Sequence, residues 1–240
     1  MKLRILTFNI QHCRSYLQGD PEVIDYKLFA DTIRCFDPDI VGLNEVRGEG
    51  ESPKYEAQAQ KLAELLRYHY YFAPAIYFPG YGPYGNAILS KYPFEQTENI
   101  PIPDPAERTG KRYYETRCVA KAQINGVTVL ATHFGLNDDE AQNAAATVCK
   151  QIDASDRPVV LMGDFNVTPD NPVLLPIRER LNDTEDVFRT AGLLSFPSDK
   201  PTEKIDYIFT SKEIKTTFAT LPQMIVSDHR PLFATMEIPD

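Results

Sequence analysis

The chain has 240 residues, of which 42% are hydrophobic, 25% charged and 11% aromatic, and its formal net charge is −9. This balance belongs to an ordinary globular protein and excludes the disordered, collagen-like and coiled-coil classes. The acidic surplus argues against scanning of duplex DNA through non-specific backbone contacts, while leaving room for a local basic patch.

Residues 3–10 are rich in β-formers and predict a strand. Residues 25–36 set Leu28, Phe29, Ile33 and Phe36 on one helical stripe, and Asp37-Pro38 stops it, since the residue before proline avoids the α region. Residues 40–43 predict a short buried strand. A second helix is expected from Ser52-Pro53, with serine as N-cap and proline in the first turn, to Arg67. Further strands are predicted at 70–73, 86–90, 96–100, 117–124, 128–132, 159–162, 205–210, 216–220 and 232–236, with Asn125-Gly126 as a hairpin turn. A third helix starts at Asn137, where Glu140 completes a capping-box pattern. This element order predicts a layered α/β protein with antiparallel pairs. No Gly/Ser linker or sequence repeat divides the chain, so residues 1–240 read as one domain.

No apolar run reaches the roughly 18 residues of a membrane span, and the N-terminal apolar run is too short for a signal peptide. Cys13, Cys35, Cys118 and Cys149 fit no zinc spacing and read as thiols, so a reduced, cytoplasmic protein is expected. No protein partner is evident.

Acids, amides and histidines gather at strand ends. Asn9 ends the first strand and Glu45 follows the second. His133 ends the strand at 128–132, while Asp164 and Asn166 follow the one at 159–162. Asp206 opens a strand, and Asp228 and His229 precede the last. Strand ends hold side chains rigidly while leaving them open to solvent. Asn9, Glu45 and Asp228 offer the oxygens that Mg2+ or Mn2+ prefers, and such an ion can neutralise phosphate charge and acidify a bound water. A histidine can take the proton of an attacking water. Asp164 and Asn166, two apart, can face one ligand together if they continue a strand; Gly163-Asp164-Phe165-Asn166 could equally form a turn. Each residue alone has a plain structural reading. Their joint occurrence points to phosphoester chemistry.

Thr7-Phe8-Asn9, Leu43-Asn44-Glu45-Val46, Thr132-His133-Phe134, Gly163-Asp164-Phe165-Asn166, Ile205-Asp206-Tyr207 and Ser227-Asp228-His229-Arg230-Pro231 resemble, in order and spacing, the endonuclease/exonuclease/phosphatase superfamily of DNase I-like proteins. The resemblance implies a four-layer α/β sandwich with two mostly antiparallel central sheets flanked by helices. It implies Glu45 as the principal metal ligand, helped by Asn9 and Asp228. His229 would be general base or phosphate-contacting acid, oriented by Asp206. Asp164 would position the water or a second metal, and Asn166 and His133 would contact phosphate. Arg117 matches an arginine of several small bacterial members and is a candidate phosphate contact. The chain departs from the pattern at Asn44, where glutamine is usual, and at Gln11, where some nucleases carry aspartate.

Substrate clues are weaker. Tyr77 to Tyr84 reads as an aromatic loop in which Tyr81 and Tyr84 could stack on a substrate, and Lys111 and Arg112 sit in a basic loop that could grip a second phosphate. The leading reading is a divalent-metal-dependent phosphodiesterase acting on a small molecule or a phospholipid headgroup. A nuclease for single-stranded or 3′-end nucleic acid is the alternative. A non-catalytic phospholigand- or protein-binding domain is the reading from another class.

Overall fold

The computed structural model describes residues 1–16, 23–51, 56–186 and 193–239. In its first strand, β1 (Lys2–Asn9), Leu3 and Ile5 face one way and Leu6 and Phe8 the other, and all four are fully buried. A strand buried on both faces belongs in the interior of a sandwich. The same holds for β7 (Val127–His133), where Val129 and Ala131 join one apolar cluster and Leu130 another.

The elements between them are α1 (Tyr26–Phe36), β2 (Ile40–Arg47), α2 (Gln58–Leu66), β3 (His69–Phe78), β4 (Gly82–Ser90), β5 (Gln96–Pro101) and β6 (Cys118–Ile124). After β7 come α3 (Asp138–Asp153), β8 (Val159–Asp164), α4 (Leu175–Arg180), β9 (Leu181–Asp183), β10 (Asp206–Ser211), β11 (Lys215–Thr220) and β12 (Leu232–Glu237). Among the described residues they form two six-stranded sheets, ordered β11-β12-β1-β2-β4-β3 and β5-β6-β7-β8-β10-β9. Three apolar clusters separate four layers. Phe29, Ile33 and Leu62 pack α1 and α2 on Leu6 and Phe8. Leu3, Ile5, Val129 and Met162 fill the space between the sheets. Val148 and Ile177 pack α3 and α4 on Leu130 and Leu161. This is the expected four-layer sandwich.

The two sheets share one plan. Every neighbouring pair is antiparallel except the central ones, β1–β2 and β7–β8. Each parallel pair is bridged by a helix, as a parallel crossover requires. That helix starts at a cap: Asp25 accepts the Leu28 N–H at 2.9 Å for α1, and the Asn137 N–H donates to Glu140 at 3.2 Å for α3. The runs β1-α1-β2-α2-β3-β4 and β7-α3-β8-α4-β9-β10 thus occupy equivalent positions, although the sequence shows no repeat. The carboxyl ends of both parallel pairs meet, and crevices at such ends are where α/β proteins hold ligands.

A buried amide ties the sheets together there. Asn44 Nδ2 donates to Asn86 Oδ1 and to the Thr132 carbonyl, both at 2.8 Å, and its Oδ1 accepts the Asp164 N–H at 3.0 Å. One side chain therefore connects β2, β4, β7 and β8.

Several boundaries differ from expectation. β2 continues through Glu45 to Arg47 instead of ending at residue 43. It does so because a bulge between Leu43 and Val46 places Asn44 and Glu45 opposite a single residue of β4. The strand at 70–73 extends to Phe78, so the expected aromatic loop is largely a β3–β4 hairpin with its turn at 79–81. Ser52-Pro53 lies outside the described residues, and the described helix begins at Gln58. The strand before Asn166 ends at Asp164, and Asn166 has a left-handed φ of 51°, so the turn reading of 163–166 is the correct one. The short α4 and β9 had no periodic signal.

Asn44→Ala leaves three buried groups unpaired, each costing about 1–3 kcal/mol, so an overall loss of about 3 kcal/mol is expected in urea unfolding. A loss below about 1 kcal/mol would show that Asn44 does not tie the sheets.

Candidate active site

Glu45, Tyr84, Arg117, His133, Asp164, Asn166, Asp228 and His229 line one cleft of about 360 Å³. Asn9 and Asp206 reach it through hydrogen bonds to residues of its wall. Backbone geometry explains how. Glu45 sits in the bulge of β2 with φ 58°, which turns its carboxylate out of the strand alternation. Asn166 N–H donates to Asp164 Oδ1 at 3.0 Å, closing the turn after β8. Gly163 precedes it because a Cβ there would lie 1.8 Å from the Thr132 carbonyl oxygen, and its φ is 143°.

After β1, Gln11, His12 and Cys13 are all left-handed, with φ of 42°, 59° and 58°. Such residues cost about 1–2 kcal/mol each. The turn is held by the Asp25 N–H to the Cys13 carbonyl at 2.9 Å and by Gln58 Nε2 to the His12 carbonyl at 2.6 Å. It swings Gln11 Nε2 to within 2.8 Å of Asp228 Oδ2 and puts His12 in the cleft lining.

One wall carries oxygen. Glu45 and Asp228 contribute its carboxylates. The other wall carries hydrogen-bond donors around Asp164. His229 Nδ1 donates to Asp206 Oδ2 at 2.8 Å, and its Nε2 lies 3.6 Å from Asp164 Oδ2. Arg117 Nη1 stands 3.0 Å from His133 Nδ1. The other ring nitrogen, His133 Nε2, lies 3.4 Å from Asp164 Oδ2 and 3.0 Å from Asn166 Nδ2. Asn166 Nδ2 donates to the Phe134 carbonyl at 3.0 Å, beside that ring.

Asn9 is hydrogen-bonded at both ends of its amide. Its Oδ1 accepts the Gln11 N–H at 3.1 Å, which fixes the amide. Its Nδ2 then donates to Glu45 Oε1 at 3.1 Å and to Asp164 Oδ2 at 3.0 Å, holding two carboxylates apart. Three expected substrate contacts do not line the cleft. Tyr81 is exposed at the hairpin tip, and Lys111 and Arg112 are exposed. Their loop is fastened to the start of α3 instead: the Arg112 N–H donates to Asn137 Oδ1 at 3.0 Å, and Tyr114 Oη to Asp139 at 2.7 Å. Tyr113 is the residue of that loop which faces the cleft.

Sequence reading missed His12, Arg47, Glu115, Tyr113 and Phe196 in the lining. Glu115, paired with Arg117 at 2.5 Å, could have been found from the two-residue spacing of opposite charges. Arg47 lies between Phe78 and Tyr84, its guanidinium carbon 4.7 and 4.9 Å from the ring centres. For His12 there was no signal, because a left-handed turn without glycine leaves no mark in the sequence.

Comparison with known proteins gives consistent matches. Residues 6–229 match the Endonuclease/Exonuclease/phosphatase family. The chain is 27% identical over 223 residues to the uncharacterized protein YbhP of Escherichia coli K12, covering 87% of each chain. A crystal structure of an endonuclease/exonuclease/phosphatase from Bacteroides vulgatus aligns with a TM-score of 0.78 at 22% identity, over the whole of both chains. The mannosyl-6-phosphatase of Bacteroides thetaiotaomicron aligns with a TM-score of 0.80 at 16% identity, over 98% of this chain and all of that one.

Burial and mutual proximity set the protonation states. Burial, followed by the neighbouring Asp206, pushes Asp164 up to about 7. Burial alone would lower His229, but Asp206, Asp164 and Asp228 outweigh it and carry the imidazole up to about 10. Burial, then Arg117, holds His133 well below the ordinary histidine range. Burial, with Glu45 nearby, raises Asp228. Glu45 and Asp228 present carboxylate oxygens to the cleft, the ligand type a hard divalent cation prefers. Asp164, Asp206 and His229 also bring ligand atoms within 4.8 Å of one another, but there the imidazolium already occupies Asp206 Oδ2.

Because the folded-state value of His229 is raised, its contribution to stability is complete below the unfolded value near 6.5 and is lost as pH rises through about 10. NMR of metal-free protein should show His229 charged and His133 neutral at pH 7.5. Asp206→Asn should bring His229 down toward the ordinary range. A wild-type His229 ring that titrates near 6.5 would contradict this electrostatic arrangement.

Proposed function

The chain belongs to the endonuclease/exonuclease/phosphatase family, whose members hydrolyse phosphoesters and generally use divalent metals, and from that premise we propose that it is a metal-dependent phosphodiesterase acting on a small substrate. The observation that carries this reading is the division of one cleft into an oxygen wall and a donor wall. A phosphate placed between them meets His133, the Asn166 amide and the His229 imidazolium on one side. Glu45 and Asp228 would hold Mg2+ or Mn2+ on the other. That ion would supply charge neutralisation to the phosphate and the departing oxygen.

The protein's own groups divide the proton work. His229, charged at neutral pH, serves as the phosphate-contacting acid and not as the base, with Asp206 fixing its ring. Asp164, raised to about 7, is matched to accepting a proton from the attacking water. Asn9 keeps Glu45 and Asp164 apart, so each carboxylate retains its own task. Arg117, buried and paired with Glu115, orients His133 from behind.

Size and charge favour a small ester over a polymer. The cleft of about 360 Å³ matches a ligand of nucleotide or headgroup dimensions. A net charge of −9 disfavours duplex DNA. The fold shared with a mannosyl-6-phosphatase keeps a phosphomonoester as the second reading. The non-catalytic reading is disfavoured because every residue of both walls is present.

Turnover of bis-p-nitrophenyl phosphate with Mg2+ or Mn2+ tests the proposal. It should vanish with chelator, and His229→Ala should lower kcat by at least about a hundredfold, as loss of a proton-transfer or charge-stabilising group does. Glu45→Gln should act mainly by weakening metal affinity. Hydrolysis that survives in both variants, or none on any diester with metal bound, would contradict it. Turnover confined to sugar phosphates would support the monoester reading.

A further inference from the structure

His12 lines the cleft and has no part in the proton work above. Its Nδ1 lies 2.9 Å from the backbone carbonyl oxygen of Glu45. A carbonyl only accepts, so Nδ1 carries the proton and, in the neutral ring, the lone pair sits on Nε2. That Nε2 is 3.7 Å from Glu45 Oε2. The separation is too long for a charge-assisted hydrogen bond of about 2.7–2.9 Å. It falls within the range for two atoms that share one ion. Atoms each about 2.1 Å from a cation lie about 3.0 Å apart at a right angle and about 4.2 Å when opposed.

The surroundings resemble those of a built ligand. A metal-ligating histidine characteristically donates its other ring N–H to a backbone carbonyl or carboxylate, which fixes tautomer and ring orientation. Here that carbonyl belongs to Glu45 itself. The edge of Tyr84 stands 5.3 Å from the imidazole centre, and Gln58 clamps the His12 carbonyl, so ring and backbone are both restrained. The left-handed turn of residues 11–13 brings His12 into the cleft lining.

We propose that His12 Nε2 is a direct ligand of the divalent ion held by Glu45, giving a mixed nitrogen and oxygen site that prefers a first-row transition ion to Mg2+. The inference rests on the metal-dependent reading above and adds the nitrogen ligand and the ion preference to it. Imidazole binds transition ions, whereas Mg2+ is best served by oxygen alone. The preference therefore depends on His12 and not on the carboxylates.

The test uses the full chain with Mn2+ as probe, by calorimetric titration against Mg2+ and by pulsed EPR of the bound Mn2+. Wild-type protein should bind Mn2+ with 14N coupling from one imidazole. His12→Asn, chosen because asparagine tolerates a left-handed φ, should still bind Mn2+ but without that coupling. Its preference for Mn2+ over Mg2+ should fall by about tenfold or more, the scale seen even for second-sphere losses. His229→Asn should keep the coupling, which distinguishes the two rings. Mn2+ bound in wild type without 14N coupling, or coupling that persists in His12→Asn, would overturn the assignment of His12 and leave the metal-dependent reading intact. That includes the case of a charged His12 merely paired with Glu45. No Mn2+ binding in wild type would overturn both.

Discussion

Asp164 is a carboxylate with 1% of its surface exposed, placed where the ends of two sheets meet. A charge so deep in the protein must be compensated by groups on every side. Asn9 reaches it from the first sheet, and His133 and His229 face it from β7 and from the segment before β12. Its own N–H is taken by Asn44. Each of these contacts also fixes a sheet edge or a ring, so compensating one buried charge brings the two halves of the sandwich into register. Burial, with Asp206 adding to it, brings Asp164 to about 7, while Asp206 and Asp164 together keep His229 charged.

The same constraint explains the distribution of chemistry in the cleft. Donors collect around Asp164 and oxygens collect around Glu45, and Asn9 marks the boundary between them with one amide. Left-handed backbone at Gln11, His12, Glu45 and Asn166 aims side chains that regular strands could not deliver. Non-glycine residues in that conformation carry strain, and strain of this kind concentrates where a site must be preorganised. The sheets supply rigid strand ends, and the departures from regular strand geometry supply direction.

Much of the fold was legible in the sequence because alternation and helical stripes report burial directly. Leu3 to Phe8 alternate between two cores, and Asn137 with Glu140 announces α3. The strand-end residues Asp164, Asp206 and His229 were also legible, since motif order places them. Their division of labour was not, because it depends on burial and mutual distance. Glu45 sat beyond the predicted strand because a bulge leaves no periodic trace. Lys111 and Arg112 looked like a phosphate grip, yet Asn137 and Asp139 capture their loop through contacts that sequence distance hides. His12 was invisible for a related reason: its orientation is imposed by Gln58 and Asp25, which lie far along the chain.

Anomalous diffraction from crystals soaked in Mn2+ and inorganic phosphate tests the division of the cleft most directly. The predicted result is a Mn2+ peak against Glu45 and Asp228, with phosphate oxygens on His133, Asn166 and His229. A Mn2+ peak held instead by Asp164, Asp206 and His229, with the Glu45 side empty, would contradict the assignment of the two walls.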